Sequence, residues 1–304
     1  MLRTMQLSLG FLLAISCTAI QSSAPGGSSL QTEQDITLLQ VLLNDMKTYT
    51  TTNHYFHAGD LYEHSIWTEQ VASQWLIEPE NPWSEKLADL DNHTKQVIAL
   101  AALLHDVGKA GDLQFSFDCK PKHAQVGYEY VIGKRPYIMA NGATEFDFNT
   151  MFRSLGISEE EQKLIAVLIA IHLQFGEGFM ASIFRLRFLD KEEQMPGIHA
   201  ACEEYLQRLE AYTRATNYNG GIVTEQLLRM AVFISSADAR GNQPIQDGAL
   251  APFIFTEPAY VRVVRETAQK LFVYFGYDRV GIQNLNYLTD YFISTRLAKK
   301  LEEA

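Results

Sequence analysis

The amino-acid sequence predicts an all-α protein, and three observations carry that expectation. Apolar residues recur at three- and four-residue spacing through most of the chain, the pattern of helices that bury one face. No segment alternates apolar and polar residues over the length of a strand. Two stretches, residues 94–105 and 224–238, are apolar on most sides, as the innermost helices of an α-helical core are.

The elements follow in order. Ile36, Leu39, Leu42, Leu43 and Met46 share one face of a helix expected over 35–49. A second helix, over 60–76, carries His64. The third, over 94–105, runs into Leu103-Leu104-His105-Asp106-Val107-Gly108-Lys109. Ser158 and Glu161 have the spacing of a capping box and start the helix that carries His172. The helix over 224–238 ends at Asp238. From residue 258 onward two more amphipathic segments are expected, broken near Gly276 and Gly281. Residues 111–121 and 137–149, rich in Asp, Asn, Gly and Phe, are expected to be loops.

A chain of 304 residues, 47% hydrophobic and 20% charged, can bury one large core with an added helical layer. Its net charge of −11 argues against an extended nucleic-acid partner, which would need concentrated basic charge for its phosphates. Residues 1–24 read as a secretion signal: Arg3 precedes an apolar stretch, Leu7 to Ile20, too short to span a bilayer comfortably. Cleavage after Ala19 fits the small residues there, and Ala14-Ile15-Ser16-Cys17 resembles a lipoprotein box that departs from the pattern at Ala14. Residues 25–34 then form a flexible tether, and the protein is expected to be exported: periplasmic, secreted or tethered to a membrane by lipid. It is cytoplasmic if the segment is no signal. Three cysteines are too few for a disulfide framework, and with Cys17 removed or lipidated only Cys119 and Cys202 remain to pair.

The chemistry centres on His105-Asp106. Side chains of adjacent residues inside a helix diverge by about 100°, but at a helix end, with Gly108 just beyond, both can turn toward one point. His64, His123, His172 and Asp238 complete the set. Each has a plainer reading alone: His172 as a core residue, His123 as a surface residue, Asp238 as a helix terminus. Together they are the donors that suit divalent transition metals, with a carboxylate able to bridge two ions. His54, His57, His93 and His199 read as surface histidines.

The order His, His-Asp, His, His, Asp resembles that of the HD-domain superfamily, most of whose members are metal-dependent phosphohydrolases. Tyr62-Glu63-His64-Ser65 followed by Val71-Ala72 is similar to its first motif, and Ala101 to Lys109 to its central one. Lys122-His123-Ala124-Gln125-Val126-Gly127, Ala170-Ile171-His172 and Ser236-Ala237-Asp238-Ala239-Arg240 are similar to the rest. The likeness runs from about Leu61 to Arg240. It implies an HD-domain helical bundle over 35–250 with an added C-terminal helical layer over 251–304.

It also implies that His64, His105, Asp106 and Asp238 bind one metal ion, and that His123 and His172 bind a second which Asp106 bridges. Mn, Fe, Zn, Co or Ni fits these donors better than Mg. Lys109, Asp106 and Arg240 become the catalytic residues, with Lys109 on the substrate phosphate or the attacking hydroxide and Arg240 as a phosphate fork. Lys120 and Lys122 lie beside His123, and a solvated loop is the preferred reading for them. The expected reaction is hydrolysis of a nucleotide or other small phosphate ester by a metal-bound hydroxide. The Gly-Tyr-Pro signature of the cyclic-dinucleotide branch and any nucleotidyltransferase or synthetase domain are missing from the sequence. The alternatives are a di-iron oxygenase of the branch that includes myo-inositol oxygenase, and a non-catalytic binding protein.

Overall fold

Short polar side chains start the helices. Asp60 accepts from the Glu63 amide at 2.7 Å, while the Glu63 carboxylate accepts from the Asp60 amide at 3.2 Å. Ser158 and Glu161 form the same reciprocal box, with the Ser158 amide donating to Glu161 at 2.7 Å. Asn81, Asp91 and Asp147 cap three further helices. Each such cap satisfies an amide that the helix leaves without a partner, worth about 1 kcal/mol.

The structure is a computed structural model, and it describes residues 30–49, 60–110, 123–175, 179, 182–183, 191–241 and 277–298. Among them lie α1 (Leu30–Met46), α2 (Leu61–Ile77), α3 (Pro82–Lys86), α4 (Asn92–Leu104), α5 (His123–Val131) and α6 (Phe148–Ser154). These are followed by α7 (Glu159–Leu173), α8 (Lys191–Thr216), α9 (Glu225–Gly241) and α10 (Tyr277–Phe292). A 3-10 turn, Val107–Lys109, follows α4. The only sheet among the described residues is an antiparallel ribbon of β1 (Tyr137–Ile138) and β2 (Glu145–Phe146), pairing Tyr137 with Phe146. The fold is all-α.

The core forms around α4 and α7. Val97 to Leu104 and Leu164 to Ile171 are buried at every position, so both helices are wrapped by others. Helix α4 packs on α2, α7 and α9, and α9 packs on α2, α7 and α10. Every proposed ligand except His123, which opens α5, sits on or directly beyond one of these elements.

Several expectations change: residues 137–149, expected to be a loop, hold β1, β2 and the start of α6, and α9 runs past Asp238 to Gly241. Helix α1 starts at Leu30 rather than residue 35, through Gln31, Glu33 and Gln34, which favour helix. The 26-residue α8 is hidden in the sequence by Pro196 and Gly197, yet a proline in the second turn removes only the bond to the carbonyl of residue 192. Helix α10 runs through Gly281 without a break. A Cβ at Gly281 would lie 2.4 Å from Ser236 Oγ and 3.0 Å from Trp83 Cζ2, so this glycine lets α10 approach α9 and α3 closely. The segment beyond α10 is clamped to α8: Arg296 makes a fork to Glu203 at 2.9 Å on both arms and reaches Glu210 at 2.8 Å. The Arg296 hydrogen bonds hold the Glu203 carboxyl down at about 2.

The ribbon is tied to α1 by Asp45. The Tyr137 hydroxyl donates to Asp45 Oδ2 at 2.7 Å, and the Ala140 amide to Oδ1 at 2.8 Å. Burial and Asp45 raise the Tyr137 phenol far above its ordinary value, so it stays a donor throughout the physiological range. Asp45→Ala removes the acceptor of both groups and is expected to cost about 3 kcal/mol in a urea denaturation series.

Residues 1–24 with Cys17, the break near Gly276, and His54, His57, Cys119, Lys120 and Lys122 lie outside the described residues. Cys202 is a buried free thiol. Among the described residues no helix is long and apolar enough to cross a membrane.

Candidate metal centre

Three of the four motif histidines are held by the same device. His105 follows the last residue of α4, and its Nδ1 lies 2.7 Å from the carbonyl of Ala102. His172, in the last turn of α7, has its Nδ1 2.6 Å from the carbonyl of Ile169. His64, one turn into α2, has its Nδ1 3.2 Å from the carbonyl of Gly241. A carbonyl can only accept, so each Nδ1 carries the proton and each Nε2 lone pair is free to face inward. That tautomer is the one a metal-ligating imidazole needs.

The inward nitrogens and the two carboxylates form two adjoining groups. In the first, Nε2 of His64 and of His105 lie 3.0 Å apart, and Asp238 Oδ1 is 3.1 and 3.2 Å from them. In the second, Nε2 of His123 and of His172 lie 3.3 Å apart. Asp106 spans both. Its Oδ2 is 3.3 Å from His64 and 3.5 Å from His105, and its Oδ1 is 2.8 Å from His123 and 3.6 Å from His172. Lys109, nearly buried at 8% exposure, makes an ion pair with Asp106 Oδ2. His64, His105, Asp106 and His172 are almost wholly buried.

These spacings suit a cation. Two ligands at about 2.1 Å from one ion and at right angles to each other are about 3 Å apart. Two inward imidazole nitrogens at 3.0 Å need a proton or a metal ion between them, since bare lone pairs would repel. The titration behaviour has the same cause. Burial opposes charge on His105, but Asp106 and Asp238 overcome it and push the imidazole up to about 10. Burial, aided by Lys109, outweighs Asp106 at His123 and brings it down to about 3. Burial pushes both carboxyls up, yet Lys109, His105 and His123 hold Asp106 well below its ordinary range, and His105 and His64 do so for Asp238. Both carboxylates therefore stay ionised, held so by the cationic groups packed against them.

Backbone contact brings the halves together. A Cβ at Gly108 would lie 1.9 Å from the His123 carbonyl oxygen and 2.4 Å from the Gly127 nitrogen. At Gly127 a Cβ would lie 3.0 Å from Ile169 Cγ2 and 3.2 Å from the Gly108 nitrogen. The turn after α4 and the helix α5 thus touch main chain to main chain. That contact sets His123 beside Asp106, and explains a glycine four residues after the histidine.

The structure brings together all six residues that the sequence nominated as ligands, and sets Lys109 against one of them. The side chain of Arg240, half-buried near the end of α9, makes no hydrogen bond or ion pair among the described residues. His93 pairs with Glu161 at 2.7 Å, and His199 packs on Tyr291, both away from the six. Sequence reading missed the carbonyls of Ala102, Ile169 and Gly241, because a backbone acceptor leaves no mark on residue type.

It also missed Glu69, which is 1% exposed on α2 and accepts from Ser73 Oγ at 2.6 Å. Burial, only partly offset by Ser73, raises its carboxyl from 4.5 to about 7. The unfolded chain releases this proton near pH 4.5 and the folded protein keeps it to about 7. Stability from this group therefore falls as pH rises across that window. Glu69→Gln mimics the protonated form. It is expected to match the wild type near pH 4.5 and to exceed it by roughly 3 kcal/mol at pH 8 in urea denaturation.

Comparison with known proteins agrees with the geometry. Residues 61–196 match the family model of the HD domain, a span that contains His64, His105, Asp106, His123 and His172 and ends before Asp238. No curated protein and no solved structure matches the chain.

Proposed function

From a chain that belongs to the HD-domain superfamily through residues 61–196, we propose a metal-dependent phosphohydrolase that acts on a nucleotide or another small phosphate ester. The observation that carries this reading is the division of Asp106, with one oxygen toward His64 and His105 and the other toward His123 and His172. In this reading His64, His105, Asp106 and Asp238 hold one divalent ion, and His123, His172 and Asp106 a second. Bound ions of this kind supply a hydroxide at neutral pH and neutralise charge on a phosphoryl group.

The chain's own residues supply the rest. Four imidazoles donate without adding negative charge, so two carboxylates against two divalent ions leave a positive centre for an anionic ester. Lys109 adds a buried ammonium at the same carboxylate, where it orients a phosphoryl oxygen. Arg240, two residues after Asp238, offers a planar fork for a second oxygen. The burial of His64, His105, Asp106 and His172 limits the screening of these charges by bulk water. The sequence pattern of residues 1–24 supports action after export.

The test is phosphate release from a panel of nucleoside phosphates and simple mono- and diesters, with Mn, Fe or Zn added singly and then removed by chelator. Metal-dependent release that chelator abolishes is the expected result. Oxygen uptake by the iron-loaded protein without phosphate release would assign the site to an oxygenase instead. Ions bound with neither activity would support the binding-protein reading.

A further inference from the structure

Gly241 closes α9 three residues after Asp238, where a glycine ordinarily reads as a helix stop. Its surroundings say otherwise. A Cβ at Gly241 would lie 2.4 Å from Thr68 Oγ1, 2.6 Å from Thr68 Cα and 2.8 Å from the Thr68 nitrogen. Two of those atoms are main chain, so no rotamer of Thr68 relieves the contact. Thr68 is fully buried and lies one turn beyond His64 on the same face of α2.

Where the two backbones meet, both nitrogens of one imidazole are engaged by the same helix end. The Gly241 carbonyl lies 3.2 Å from His64 Nδ1, and Asp238 Oδ1 lies 3.1 Å from His64 Nε2. We infer that Gly241 is a positioning residue: its missing side chain lets the end of α9 reach α2, which orients the His64 ring and carries Asp238 into the ligand group. The inference rests on reading the cluster as a metal centre. The group of His123, His172 and Asp106 is set by a different contact, between Gly108 and α5. Gly241 therefore governs one half of the centre and leaves the other intact.

Gly281 provides the comparison. It too crowds α9, at Ser236 two residues before Asp238, but the atoms nearest its Cβ position lie on Ser236 and Trp83, neither of which bonds to a proposed ligand among the described residues. The experiment titrates Mn²⁺ into metal-stripped wild type, Gly241→Ala and Gly281→Ala, reading the number and affinity of ions by calorimetry and the fold by circular dichroism. The wild type is expected to bind two ions. Gly241→Ala is expected to keep one at wild-type affinity and to hold the other about 10–100-fold more weakly, the usual effect of losing an outer partner of a ligand. Gly281→Ala is expected to bind both ions as the wild type does.

Two wild-type affinities in Gly241→Ala, or the same selective loss in Gly281→Ala, would overturn the inference while leaving the metal centre standing. A wild type that binds no ion would overturn the metal reading itself, and this role with it. An independent readout needs no variant. In the wild type, ¹⁵N and ¹³C labelling is expected to show a scalar coupling across the hydrogen bond from His64 Nδ1 to the Gly241 carbonyl carbon. Its absence would also overturn the inference.

Discussion

Replacing Asp106 with alanine is expected to strip both ions from the protein and to lower phosphate release by ~10³-fold or more, several kcal/mol of charge stabilisation. No other side chain among the described residues faces all four inward imidazoles. Its removal also takes a buried carboxylate from beside the Lys109 ammonium, leaving positive charge where a cation is meant to sit. Asp238→Asn is the contrast, because Asp238 lies within 3.2 Å of His64 and His105 and makes no such approach to His123. That variant is expected to keep the ion of the second half. Metal analysis beside activity distinguishes the two, and an Asp106→Ala protein that still holds two ions would contradict the assignment.

Gly108→Ala is expected to have the largest effect on stability, at least about 4 kcal/mol, because it forces a methyl group into main chain rather than into side chains that can turn away. The 1.9 Å approach to the His123 carbonyl oxygen cannot be relieved without moving α5, which carries His123. The damage therefore reaches the site as well as the fold. Urea denaturation of the metal-free protein measures the first effect without the second. A midpoint within 1 kcal/mol of the wild type in stability would show that the turn and α5 are not packed as described.

The six candidate ligands were legible because metal chemistry is written in residue types. His, Asp, Glu and Cys supply most such donors, and their order along the chain survives without coordinates. Helices α4 and α9 were legible because each is apolar beyond what a single buried face requires, and α7 because Ser158 and Glu161 mark its start. What could not be read was why a glycine is present. Gly281 resembles a helix break and Gly241 a helix stop, yet both mark places where two backbones meet, and Gly108 marks a third. A missing side chain looks the same in sequence whether it frees a turn or admits a neighbour.

Contacts between distant segments were equally hidden. Asp45 and Tyr137 are 92 residues apart, and nothing near either one announces the other. Glu69 reads as a polar residue on a helix face, and only the packing around α2 makes it a buried acid. Helix α8 failed for a local reason, since Pro196 and Gly197 oppose helix while the packed residues that follow, Cys202, Tyr205, Leu206 and Leu209, impose it.

The most direct test of the central claim is the metal content of the protein purified without chelator, measured beside His105→Ala. Two ions per chain from among Mn, Fe, Zn, Co and Ni, with the ion facing His105 lost in the variant, is the predicted result. A wild type that holds no ion even after reconstitution, or a variant with unchanged content, would contradict it.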